Sequence, residues 1–187
     1  MIADQAPTAP FVALFTGPPG CGKSTLAEHV AERTGAPVAN WDWLMSGIRV
    51  FPDVWASVEY DAERRRDVGY SLMLRLTEQQ LRRGQSIVLD VIARPRAHDR
   101  FRTLAQQHGA RFAVVECTCS DLAVHESRVV GRRRDIPGWD ELEWSWVLHS
   151  ISIYEPVSEP KLRVDAVDSL ATNLAKVGAY LGLDLTA

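Results

Sequence analysis

Apolar runs of strand length alternate with segments of helical spacing along the whole chain. The run "FVALFTG" (11–17) is unbroken and closes on Gly17, as expected of a strand covered on both faces. "KSTLAEHVAERTG" then sets Leu26 and Val30 one helical turn apart and stops at Gly35. "PVANW" (37–41) reads as a second strand. Asp61 is a candidate N-cap for a long helix over 61–84, with Val68, Leu72 and Leu76 inward and Gly84 as terminator. "SIVLDVI" (86–92) is a third strand, and Pro95 opens a helix carrying Phe101, Leu104 and Ala105 to Gly109. "RFAVVECTC" (111–119) is a fourth strand, and Ser120 and Asp121 begin the next helix. Beyond the polar turn "GRRRDIPG", Trp139, Leu142, Trp146 and Ile153 predict a helix running to Pro156. "KLRVDAV" is the last strand, and Leu170, Leu174, Val177 and Leu181 mark the last helix.

Strand and helix alternate throughout, which predicts an α/β fold with a parallel sheet wrapped by helices. The 187 residues make one domain, 1–187, without repeats or linkers.

The chemistry is concentrated in "GPPGCGKST", which joins the first strand to the first helix. It satisfies G-x-x-x-x-G-K-[ST] with Gly17, Gly22, Lys23 and Ser24. Gly17, Pro18, Pro19, Gly20, Cys21, Gly22, Lys23, Ser24 and Thr25 form a phosphate cradle in which backbone N–H groups converge on phosphate oxygens. Lys23 adds a point charge, and Ser24 offers a hydroxyl to magnesium. Phosphoryl transfer further requires a metal partner, an aligner for the acceptor oxygen and cations for the transferring group.

Asp90 closes the third apolar run, at the sheet edge beside the loop, and is expected either to hold magnesium through water or to cap the turn before Pro95. Asp42 follows the second strand and is expected either to accept the acceptor's proton or to cap "WLMSGI", or both. Arg128, Arg132, Arg133 and Arg134 lie in or after the helix that begins near Asp121, in a segment around 125–140 that could close as a lid. Arg128 and Arg132, four apart on a shared helical face, are the expected transition-state cations. Arg94 and Arg96 are candidate phosphate or acceptor contacts or surface charges. Trp41, Trp43, Trp55 and Tyr60 crowd the segment around Asp42, as core or as an aromatic wall; Trp139 and Trp146 read as the buried face of their helix.

Composition narrows the partners. A net charge of −3 gives no global attraction for nucleic acid or anionic membrane. Cys21, Cys117 and Cys119 are too few for a disulfide framework and lack metal-site spacing. "MIADQAPTAP" has no basic segment leading into a long apolar stretch, so a cytoplasmic enzyme is expected.

With these residues assembled, the chain resembles the P-loop small-molecule kinases of the nucleoside-monophosphate-kinase-like group, an AAA-type ATP-binding domain. It is most similar to the branch that includes polynucleotide kinase and chloramphenicol phosphotransferase. The resemblance rests on "GPPGCGKST" and, less specifically, on "NWD", "VLDVIARPRAHDRFRTLA" and "ESRVVGRRRD". It implies a three-layer P-loop fold with a five-stranded parallel sheet and a helical lid. It also implies ATP with Mg2+ as cofactors, GTP being left open, and a small-molecule hydroxyl as acceptor. Asp42 matches the acceptor-activating Asp, Asp90 the strand-three Asp, and Arg132 or a neighbour a lid arginine. Where polynucleotide kinase carries an Arg three residues after that Asp, this chain has Met45, with Arg49 further on, which speaks against recognition of a nucleic-acid 5′ end. The alternative is a nucleotide-dependent switch that acts through a protein partner.

Overall fold

The computed structural model describes residues 9–157 and 160–185. The leader-free reading of the N-terminus falls mostly on residues 1–8, outside the described residues. The chain runs β1 (Phe11–Thr16), α1 (Lys23–Thr34), β2 (Val38–Asn40), α2 (Trp41–Arg49), α3 (Pro52–Glu59), α4 (Ala62–Leu81), β3 (Ile87–Asp90), α5 (Pro95–Gln107), β4 (Arg111–Thr118), α6 (Leu122–Val129), α7 (Trp144–Ser152), β5 (Leu162–Asp165) and α8 (Leu170–Leu181).

The five strands form one sheet in the order β2-β3-β1-β4-β5, and every pairing is parallel. The fold is therefore the α/β architecture that the alternation predicts. Alternate residues of the buried strands feed two cores. Phe11, Ala13 and Phe15 of β1 pack with Leu26 and Val30 of α1 and with Leu174, Val177 and Leu181 of α8. Val12 and Leu14 face the other way, onto Tyr70 and Met73 of α4 and Phe101 and Ala105 of α5. Strand order reverses on either side of β1, so the loop after β1 sits at the switch point where parallel sheets open a crevice.

Several expectations change. The second strand ends at Asn40, because Asn40 caps α2: its side chain accepts the Trp43 N–H. Asp42 is therefore not the cap and lies in the first turn. Helix α4 buries Gly69, Tyr70, Met73, Thr77 and Leu81; Leu76 packs half-buried against that core as expected, whereas Val68 and Leu72 are half-buried outside it. Its apolar residues spread over more than one stripe, and Trp41 selects the inward one. A Cβ at Gly69 would stand 2.0 Å from Trp41 Nε1, so the indole crosses α4 only where a side chain is missing. The helix expected from Trp139 starts at Trp144 and buries Val147, leaving Trp146 47% exposed. Helix α6 ends at Val129, so Arg128 and Arg132 do not share a helical face; residues 130–143 form no helix or strand.

Candidate active site

Gly17 leaves β1 at φ 135°, pressed so closely on β4 that a Cβ would stand 2.0 Å from the Cys117 carbonyl oxygen. The loop ends at Gly22, the left-handed N-cap of α1, which supplies no side-chain cap, and the first turn of α1 holds no acidic residue. The leading N–H groups of α1 thus have no competing side-chain anion, which is the condition for receiving a phosphate. Lys23 is buried and its Nζ donates to the Pro18 carbonyl at 2.9 Å, folded back along the loop.

Asp90 ends β3 in register with Phe15 of β1 and Asn40 of β2, and is 3% exposed. It therefore lies on the sheet face covered by α1, with Ser24 in that helix's first turn. Among the described residues no group of three or more His, Cys, Asp or Glu could hold a metal alone. One hydroxyl and one carboxylate fit magnesium, which takes few protein ligands and completes its shell with phosphates and water.

Asn40 links the two acidic positions. Its Nδ2 donates to Asp90 Oδ2 at 2.6 Å while its Oδ1 accepts the Trp43 N–H at 3.1 Å. The amide thus fixes α2, and with it Asp42, to the end of β3. The sequence carried a signal for this: an Asn, a strong N-cap residue, at the last strand position before Asp42.

Asp42 is 33% exposed on its side chain and receives Arg134 Nη1 at 2.5 Å. Burial pushes its carboxyl above the ordinary range, Arg134 and Lys23 pull it down, and Asp90 pushes it up; the net shift is upward. Asp42, Asp90 and Lys23 therefore act in one electrostatic neighbourhood. Arg134, 12% exposed, is held on its other edge by Glu141 Oε2 at 2.9 Å and the Asp140 carbonyl at 3.0 Å. Sequence reasoning grouped it with the lid arginines but preferred Arg128 and Arg132. Those two line a cavity of about 280 Å³ with Gly20, Cys21, Gly22 and Thr25 on one side and Asp168 and Asn173 on the other. The arginines thus divide: Arg128 and Arg132 beside the loop, Arg134 on Asp42.

The aromatic residues around Asp42 hold the 130–143 segment down. Trp139 meets Trp41 and Trp55 edge-on at 5.9 and 5.8 Å, Arg49 stacks over Trp55 and Trp139, and Arg49 pairs with Asp140 at 2.7 Å. Trp43 and Tyr60 are exposed. Arg94 pairs with Glu155 at 3.0 Å. All three cysteines are free thiols.

An AAA domain model matches residues 12–141, about 70% of the chain. The chain belongs to the AAA domain family. The match runs from β1 through the phosphate loop, Asp42 and Asp90 to Glu141. Among curated proteins none matches this AAA domain chain. Solved structures share its fold. A gluconokinase from Sinorhizobium meliloti 1021 superposes with a TM-score of 0.67 at 18% identity, covering 92% of each chain. A sugar kinase from Janibacter sp. HTCC2649 gives 0.67 at 15% identity, over 94% of this chain and 96% of that one. An APS kinase from Mycobacterium tuberculosis, solved with AMPPNP and APS, gives 0.65 at 17% identity, over 94% and 99%. Among the described residues no helix is long and apolar enough to cross a membrane.

Proposed function

We propose that this AAA domain is a P-loop kinase that moves the terminal phosphate of ATP, with Mg2+, to a hydroxyl of a small molecule. The observation that carries this reading is Asp42, in the first turn of the helix that Asn40 caps and ties to Asp90 at the carboxyl edge of the sheet, within electrostatic reach of Asp90 and Lys23. A carboxylate there can align an acceptor hydroxyl for attack on the terminal phosphate, which is the role a kinase requires. The kinase neighbours support the reading through fold alone.

The backbone N–H groups of Gly20 to Thr25 bind the phosphate chain and Lys23 leaves the Pro18 carbonyl to pair with it. Ser24 and Asp90 hold magnesium, which when bound neutralises phosphate charge. Asp42 orients the acceptor hydroxyl and takes its proton as the oxygen attacks. Arg128 and Arg132, beside the cradle, balance charge on the transferring group. Arg134 holds the Asp42 carboxylate until an acceptor displaces it. The net charge of −3 and the absence of an arginine at Met45 favour a small-molecule acceptor over a nucleic acid.

Asp42→Ala tests the assignment. Transfer should fall roughly 10²- to 10⁴-fold, while ATP affinity measured by calorimetry stays near wild type. Unchanged turnover removes Asp42 from the mechanism.

A further inference from the structure

Helix α6 carries a second residue directed at the phosphate loop. His125 is 1% exposed, and its Nε2 lies 2.6 Å from the carbonyl oxygen of Pro19. A carbonyl only accepts, so Nε2 carries a proton, and Cys21 Sγ of the loop lies 3.7 Å from the same nitrogen; Nδ1 is buried without a hydrogen-bond partner. The ring stands edge-on to Trp144 of α7, with centroids 5.3 Å apart. Gly20 completes the contact from the loop side. Its φ is +82°, and a Cβ there would stand 2.6 Å from Val129 Cγ2 and 2.9 Å from His125 Nε2. Two residues of α6 are thus pressed directly onto the loop backbone.

We propose that His125 is a positioning residue of the phosphate loop, pinning the Pro19–Gly20 peptide so that the Gly20 N–H stays available to a nucleotide phosphate. In a planar trans peptide the C=O and N–H point in opposite directions, and among the described residues no peptide bond is cis. Holding the Pro19 oxygen against α6 therefore turns the Gly20 N–H away from α6. Without the imidazole, the conformational freedom of Gly20 lets that plane rotate and present its carbonyl in place of its N–H. A phosphate oxygen can only accept, so the rotation replaces an attraction by a repulsion. The inference rests on the nucleotide-phosphate reading above and assigns the loop's conformation to a residue outside the loop.

The test compares ATP and AMP affinities of the full-length wild type, H125F and H125Q by calorimetry with magnesium. Phenylalanine keeps the ring against Trp144 and Val129 but has no donor; the Gln amide nitrogen restores one. Expected is a roughly tenfold loss of ATP affinity in H125F, a smaller loss for AMP, and recovery in H125Q to within about threefold. H125F binding ATP like the wild type, or H125Q binding as poorly as a folded H125F, overturns the inference. Should H125F not fold, nitrogen-label NMR of the wild-type imidazole decides: a protonated Nε2 is expected, and a bare Nε2 overturns it. A wild type that binds no ATP refutes the nucleotide reading instead, and the imidazole spectrum still reports separately on the Pro19 contact.

Discussion

Asn40 makes two contacts with one amide, so removing it should break two things of different size. The bond from Nδ2 to the buried Asp90 carboxylate, at 2.6 Å, is of the charge-assisted kind; its loss costs about 1.5–3 kcal/mol. The cap on Trp43 N–H, at 3.1 Å, contributes about 1 kcal/mol. Asn40→Ala should therefore lose roughly 2.5–4 kcal/mol in urea unfolding, a Tm drop on the order of 10 °C for a chain of this size. Asn40→Ser restores the cap alone and should recover about 1 kcal/mol. Asn40→Asp keeps the cap but sets a second carboxylate against Asp90, and two such oxygens at hydrogen-bond distance do not both ionise. One of the pair then has a folded pKa raised above its unfolded value, so the folded state keeps a proton that the unfolded chain has released. Its stability falls as pH rises through the unfolded value and levels off above the folded one. Asn40→Asp should thus come nearest to wild type in acid and lie furthest below it at neutral pH. If it tracks Asn40→Ser at every pH, or if Asn40→Ala costs under about 0.5 kcal/mol, the coupling of α2 to Asp90 through Asn40 is wrong.

Two further outcomes follow from other buried contacts. Glu116, 1% exposed, receives Lys161 Nζ and Arg163 Nε, each at 2.9 Å, and Tyr154 Oη at 3.2 Å. Burial pushes its carboxyl up, but the Lys161 and Arg163 bonds outweigh that and hold it below the usual range. Its contribution is present above the unfolded pKa and disappears as pH falls through the lowered folded value. Glu116→Gln should cost about 3 kcal/mol at neutral pH, with the gap to wild type closing in acid; a gap independent of pH refutes the ion cluster. Gly69→Ala forces a methyl onto the Trp41 indole and should cost about 1–3 kcal/mol in thermal unfolding; a wild-type Tm would place Trp41 elsewhere.

The order of the strands in the sheet is set by pairings between distant segments and was not legible; the strands and their alternation with helices were, because each buried strand is a nearly continuous apolar run and each break carries Gly or an N-cap residue. The phosphate loop was legible for the same reason, since its geometry is specified by residues adjacent in the chain. What the pattern misplaced depends on tertiary contact. The inward stripe of α4 is chosen by Trp41 lying over Gly69, while Val68 and Leu72 look at least as apolar as the stripe that won. Arg134 was one of three adjacent arginines, and only the approach of Asp42, 92 residues away, distinguishes it. Trp139 packs on Trp41 and Trp55 from an irregular segment, although its spacing to Trp146 has the seven-residue period of a helix. His125 carried no signal, because a buried histidine against a distant carbonyl has no local sequence pattern.

The most direct test of kinase chemistry is transfer of labelled terminal phosphate from ATP, with magnesium, by the wild-type protein. The acceptors are hydroxyl metabolites, aminocyclitol and chloramphenicol-like antibiotics, nucleosides and 5′-hydroxyl oligonucleotides. The account predicts a labelled small-molecule product. Free phosphate alone, released equally with and without every acceptor and unchanged by Asp42→Ala, would contradict it and point to a nucleotide-hydrolysing switch.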